Sequence, residues 1–176
     1  IEFIVKIKLE QVGLREAAQK FPSEISGGMK KRAGLARALA LDPKLLFYDE
    51  PSAGLDPVTS ASIDQLILDL SKKAGVTSVV VTHEMDSAFV IADRMAMLDK
   101  GKMLMVDKRE VFEEIRDWPI ERINELDEKQ QLIRQFLRGD AEGPLTRRKE
   151  ATSYAEDLLG LSAPRLTKGP SIHSSK

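Results

Sequence analysis

Residues 45–57 read Leu45-Leu46-Phe47-Tyr48-Asp49-Glu50-Pro51-Ser52-Ala53-Gly54-Leu55-Asp56-Pro57, and no other stretch constrains the fold as much. An apolar run fit for a buried strand stops at two adjacent carboxylates. A Pro, a Gly and an Asp-Pro pair then turn the chain at once. Two acids at the carboxyl edge of a buried strand are costly without a cation or a reaction nearby. Asp49 suits Mg²⁺ held through water, because that ion takes few protein carboxylates and keeps most of its hydration shell. Glu50, one residue on, is then free to polarise a water. For the pair alone, two solvated acids at a strand end is the plainer reading. The neighbouring segments change that balance.

Upstream, Ser26-Gly27-Gly28-Met29 precedes a run rich in helix formers, Lys30 to Leu41. Ser26 suits an N-cap, and two glycines let a large anion approach the backbone. A helix start offers free amides and partial positive charge, a cradle for phosphate. Alone, Ser-Gly-Gly is a common loop and capping signal. Downstream, the β-branched run Val79-Val80-Val81-Thr82 ends in His83, one of two histidines. A lone His at a strand end is commonly structural. Beyond a parallel strand, level with an acidic pair on the next strand, it sits where open α/β sheets bind ligands.

In order and spacing, Ser26 to Met29, Leu45 to Glu50, Ser52 to Pro57 and His83 resemble the signature, Walker B, D-loop and switch-histidine elements of the ATP-binding cassette (ABC) ATPases. The resemblance runs from about residue 5 to about residue 110. It implies an α/β fold, part of the P-loop NTPase ABC ATPase fold: a parallel sheet flanked by helices, the end of a helical subdomain, and a C-terminal helical extension. It implies ATP and Mg²⁺ as ligands. Asp49 would orient the metal, Glu50 would act on the attacking water, and His83 would contact the γ-phosphate. Ser26, Gly27, Gly28 and Met29 would face a nucleotide held by the other subunit of a homodimer. Asp56 would couple the two sites.

The family also carries a Gly-x-x-x-x-Gly-Lys-Ser/Thr phosphate loop. The single Gly-Lys pair here is Gly101-Lys102, and Met103 follows it. Gln11 and Gln19 lie in an apparent helical stretch too near Ser26 to form the family's glutamine-bearing loop. Position 1 is Ile. The expectation is therefore the carboxyl-terminal part of a longer ATPase, which by itself should hold ATP poorly and leave part of an apolar sheet face open.

Charge excludes one class of partner. With 27 basic and 28 acidic residues, the net charge is -1, no footprint for nucleic acid. Zero cysteines rules out a disulfide scaffold. No apolar run approaches the ~18 residues of a membrane span. A membrane role would have to come through partners.

The coarse path is helical up to Gly13, with Val5, Leu9 and Val12 on one face. A helix from about Gly28 to Leu41 is stopped by Asp42-Pro43. After strand 45–49, Asp56 caps a helix with Pro57 at its first position and Ile63, Leu66, Ile67 and Leu70 as its stripe. Lys72, Lys73 and Gly75 end it. A strand over 76–82, a short helix over 85–93 and a hairpin over 94–107 follow. The domain reading is 1–112 for the ATPase part, 113–139 for a helical extension and 140–176 for a polar tail, disordered or contacting a partner. In the extension, Leu132, Ile133, Phe136 and Leu137 form an apolar stripe ending near Gly139. Arg147-Arg148-Lys149 is too short a basic run for nucleic acid, and His173 carries no signal. Tyr154, Leu158 and Leu159 could anchor the tail.

Met29 after Ser-Gly-Gly, and Ile133 to Gly139 followed by Gly143-Pro144, resemble the ATPases of the Mla and Mce lipid-transport systems, also labelled toluene or organic-solvent tolerance. That resemblance implies an ATPase peripheral to the cytoplasmic face of the inner membrane. It would drive a transmembrane permease that works with an MCE-domain substrate-binding protein to move phospholipids or related lipids. The rivals are an ABC importer for amino acids or ions, a chromosome-organising ABC ATPase with heptad arms, and a non-catalytic remnant.

Overall fold

The computed structural model describes residues 1–146. Two compact units appear: residues 1–96 with 105–109, and residues 97–104 with the described residues from 110 onward. Residues 147–176, and with them Arg147-Arg148-Lys149, Tyr154, Leu158, Leu159 and His173, lie outside the described residues.

In the first unit, helix α1 (Glu2–Gln11) ends at Gly13, whose φ of 70° only glycine adopts freely. Val12 is fully buried and Leu9 half-buried, while Val5 is exposed. Helix α1 also buries Lys8, whose ammonium pairs with Asp42. Two 3₁₀ turns follow, at Arg15–Ala17 and Pro22–Glu24. Gln11 ends α1, whereas Gln19 falls in a turn rather than in the helical stretch read for it, because the chain leaves the helix at Val12.

Helix α2 (Gly27–Ala38) starts at Ser26 and runs through a 3₁₀ turn, Leu39–Leu41, to a left-handed Asp42. Strand β1 (Leu45–Asp49), helix α3 (Pro57–Ala74) and strand β2 (Thr77–Val81) follow, and the two strands pair in parallel from Leu45↔Thr77 to Asp49↔Val81. Asp56 caps α3 with Pro57 at its first position, and Gly75 ends it in the left-handed region. Ile63, Ile67 and Leu70 of α3 join Leu46 and Tyr48 of β1, with Val12, Leu14, Ala36, Leu39 and Val76, in one core. Leu66 packs at its margin.

Strand alternation leaves the opposite sheet face open: Phe47 is 74% and Val81 59% exposed, and Leu45 and Val79 also face outward. Helix α4 (Met85–Ile91) follows β2 and packs on α3. Strands β3 (Arg94–Asp99) and β4 (Lys102–Lys108) pair as the expected hairpin, turned by Lys100 and Gly101, both at positive φ.

The second unit buries Phe112 and Ile115 of α5 (Arg109–Asp117), Leu126, and Leu132, Ile133 and Leu137 of α6 (Glu128–Arg138). Asp127 and Gln130 exchange hydrogen bonds of 2.8 and 3.0 Å in a capping box, and Gly139 closes α6 at φ 69°. The expected stripe needs one correction. Phe136 is 41% exposed, whereas Arg134 and Gln135 are buried. Arg134 donates to the Trp118 carbonyl at 3.0 Å and to Asp140 at 3.1 Å. Gln135 donates to the Asp140 carbonyl and Thr146 Oγ1, and accepts from the Leu145 amide at 2.7 Å. Residues 140–146 therefore fold over the polar side of α6 and bury it. Among the described residues, no helix is long and apolar enough to cross a membrane.

Candidate functional site

Parallel pairing brings the carboxyl ends of β1 and β2 side by side, so Glu50 and His83 meet although 33 residues apart. Glu50 has φ 47°, a left-handed backbone that a residue with a long side chain rarely adopts. Its amide donates to the Val81 carbonyl at 2.9 Å. Its carbonyl accepts from Lys31 Nζ of α2 at 3.0 Å. Its carboxylate accepts from the His83 amide at 3.1 Å, lies 2.8 Å from His83 Nδ1, and accepts from Thr82 Oγ1 at 3.4 Å. Every polar group of Glu50 thus has a partner, which holds an unfavourable backbone in place.

The pair sets each partner's charge. The His83 ring bond holds the Glu50 carboxyl below its ordinary value. The same bond with Glu50 raises the His83 imidazole above its ordinary value. Each group stabilises the ionised form of the other. Both stay in reach of solvent, the His83 side chain 72% exposed and that of Glu50 30%. Either can therefore turn toward a ligand without unpacking the core.

Asp49 ends β1 on the open side and is exposed. Its side chain forms no hydrogen bond or ion pair among the described residues, which leaves its carboxylate available to a hydrated cation. No group of three or more His, Cys, Asp or Glu side chains gathers into a metal cage among the described residues. Among the described residues, an ion here would rest on Asp49 without a cage of three protein ligands, as suits hydrated Mg²⁺ better than Zn²⁺.

Ser26 accepts from the Met29 amide at 3.3 Å and so caps α2. Gly27 and Gly28 form the first turn, its amides at the positive end of the helix. Gly28 has a packing reason as well: a Cβ there would lie 2.5 Å from Thr59 Cγ2 of α3. That contact sets α2 against the first turn of α3, beside Asp56. Asp56 accepts from the Val58 and Thr59 amides at 3.1 and 3.0 Å and from Thr59 Oγ1 at 2.5 Å. Those bonds, the Thr59 hydroxyl first, hold its carboxyl below the usual range.

The structure thus joins Glu50 and His83 directly, sets Asp49 next to Glu50 in the chain, and sets Gly28 close to the Asp56 cap. Sequence reasoning missed Lys31, Ser52, Thr82 and Glu84. Fully buried Ser52 donates to Glu84 Oε2 at 2.9 Å. Motif spacing placed Ser52 in the D-loop-like segment but gave it no partner, and neither periodicity nor spacing gave a role to Lys31, Thr82 or Glu84, because these contacts form between segments distant in sequence.

A family model described as ABC transporter matches residues 4–53. The chain is 41% identical over 155 residues to the intermembrane phospholipid transport ATP-binding protein MlaF of Escherichia coli (strain K12), covering 88% of this chain and 53% of that protein. It is 40% identical over 171 residues to the probable ribonucleotide transport ATP-binding protein mkl of Mycobacterium leprae (strain TN), covering 96% of this chain and 46% of that one. The chain therefore spans about half the length of these curated relatives. Among solved structures, cbiO1 from Clostridium perfringens, part of the ABC transporter complex cbiONQ, matches with a TM-score of 0.61 and 31% identity, over 70% of this chain and 52% of that one. The ADP conformation of MJ1267, an ATP-binding cassette of an ABC transporter, matches with a TM-score of 0.61 and 26% identity, over 66% of this chain and 46% of that one. Fold, motif order and sequence agree: residues 4–53 match the ABC transporter family model, and most of the chain is similar to ATP-binding proteins of ABC transporters.

Proposed function

We propose that the protein carrying this chain is the ATP-hydrolysing subunit of an ABC transporter that moves phospholipids or related lipids between membranes, as in Mla and Mce systems. The observation that carries the reading is the Glu50–His83 pair at adjoining parallel strand ends. The lipid assignment draws on the 41% identity to MlaF.

In this mechanism Glu50, held ionised by His83, accepts a hydrogen bond from the attacking water and orients it. A carboxylate with a lowered pKa is a weak base, so positioning outweighs proton abstraction. His83, favoured in its protonated form, would present positive charge to the γ-phosphate. Asp49 would hold Mg²⁺ through water; that ion, when bound, draws charge from the phosphate oxygens. Ser26, Gly27, Gly28 and Met29 would close on the nucleotide of a second copy, with the start of α2 facing its phosphates. Asp56, kept ionised by its cap bonds, would couple the two sites of the homodimer. The dimer would sit on the cytoplasmic face of the inner membrane, against a transmembrane permease that works with an MCE-domain protein.

Replacing Glu50 by Gln in the full-length protein tests this. The variant should bind ATP and hydrolyse it about 10²-fold more slowly or worse. Near wild-type turnover would remove Glu50 from the role.

A second reading of the cargo comes from the relatives named for ribonucleotide transport, one of them 40% identical over 96% of this chain. Extraction of the purified ATPase–permease complex separates the two: phospholipid in the extract supports the first, and nucleotide cargo without lipid supports the second.

A further inference from the structure

Ser52 lies between Glu50 and Asp56, in the loop that leaves β1, and is fully buried. A buried hydroxyl in a tight turn ordinarily bonds a nearby backbone group. Ser52 instead donates across to Glu84 Oε2 at 2.9 Å. Glu84 stands at the N-cap position of α4 and makes no side-chain bond to its own helix amides. Its side chain is drawn away to Ser52, and an ionised acceptor makes that bond a strong one. The Glu84 amide donates to Thr82 Oγ1 at 3.0 Å, and Thr82 Oγ1 reaches Glu50 Oε2 at 3.4 Å. A closed polar circuit results. The loop from Glu50 to Asp56 and the turn from Thr82 to Glu84 are bridged at Glu50, by His83 and Thr82, and again through Ser52–Glu84.

The two bridges differ. Glu50–His83 is solvent-exposed and free to reorganise around a ligand. Ser52–Glu84 has a fully buried donor and a half-buried acceptor, so it is less open to water than the exposed pair. When the His83 ring leaves Glu50 for another acceptor, Ser52–Glu84 still joins the two segments from a buried donor, beside the longer Thr82–Glu50 contact.

We propose that Ser52 and Glu84 are a positioning pair, which fixes the Asp56-bearing loop to the turn that aims His83 and transmits a shift of either to the other. Its kinetic consequence rests on the ATPase reading above. The first readout does not. The chain has two histidines, His83 and His173, so a His173→Gln background leaves one imidazole, whose Nδ1 ¹⁵N signal can be read at fixed pH. Ser52→Ala and Glu84→Ala should each move that signal away from the hydrogen-bonded Nδ1 position. Glu84→Gln, which keeps an acceptor oxygen, should largely preserve it.

In the intact ATPase the two alanine variants should each lower kcat about tenfold with KM for ATP changed less than twofold, and the double variant should lose no more than the worse single, as coupled residues do. Multiplying losses in the double variant, or an unmoved His83 signal in both single variants, would overturn the pair. An intact protein without ATP turnover would sink the functional reading, while the imidazole signal would still decide the positioning role.

Discussion

Two polar networks in this chain use the same kinds of bond to opposite ends. At the strand ends, Glu50 and His83 form an ion pair open to solvent, on a backbone that Glu50 adopts against its own preference. Along α6, Arg134 and Gln135 are buried, and their bonds hold residues 140–146 in place. The first network is strained and exposed, hence able to change partners. The second is satisfied and dry, hence fixed. Exposure and strain, more than bond count, separate machinery from scaffold here.

The sharpest challenge to that contrast is Arg134→Ala. It removes the stem of a buried side chain and leaves the Trp118 carbonyl without its donor, so thermal or denaturant unfolding should show a loss of about 2–3 kcal/mol. A loss as small as that of a surface substitution would break the distinction. A smaller effect is expected from Asp127→Ala, which deletes the capping box of α6 and should cost about 1 kcal/mol in the same measurement.

The smallest stability effect belongs to the exposed pair, and it should depend on pH. His83 is raised, so its contribution is whole below the ordinary imidazole value of 6.5 and fades as pH climbs through the raised one. Glu50 is lowered, so its contribution is whole above the ordinary carboxyl value of 4.5 and fades as pH falls through the lowered one. The stability difference between the wild type and His83→Gln should therefore be greatest between pH 4.5 and 6.5 and disappear at alkaline pH. By NMR, His83 should titrate above 6.5, and Glu50→Gln should bring it back toward that value. An unshifted His83 in the wild type would dissolve the pair.

Local chemistry explains which parts of the fold could be read from sequence. Ser26, Asp56, Gly75 and Gly139 punctuate helices by rules that act within four residues, and each sits where its type predicts. Strand β1 announced itself by its apolar run, and the acidic pair marked its end. The encounter of Glu50 with His83 followed from placing both at the ends of parallel strands. What escaped needs tertiary pairing. Lys31 looks like one more basic residue on a charged helix until α2 passes the end of β1. Ser52 reads as a turn residue and Glu84 as a solvated acid until the two strands align. Phe136 was assigned inward by periodicity, but the segment 140–146 covers the neighbouring polar side, and Arg134 and Gln135 take the interior instead. Gly28 was legible as a place for anion approach, while its tight fit against Thr59 was not.

The φ of 47° at Glu50 sets a conflict between what that residue does and what its main chain would choose. Glycine would sit there with less strain. On the role proposed for Glu50, glycine or asparagine at this position in a descendant would signal relaxed demand for hydrolysis, and a sturdier main chain there would come at the cost of turnover.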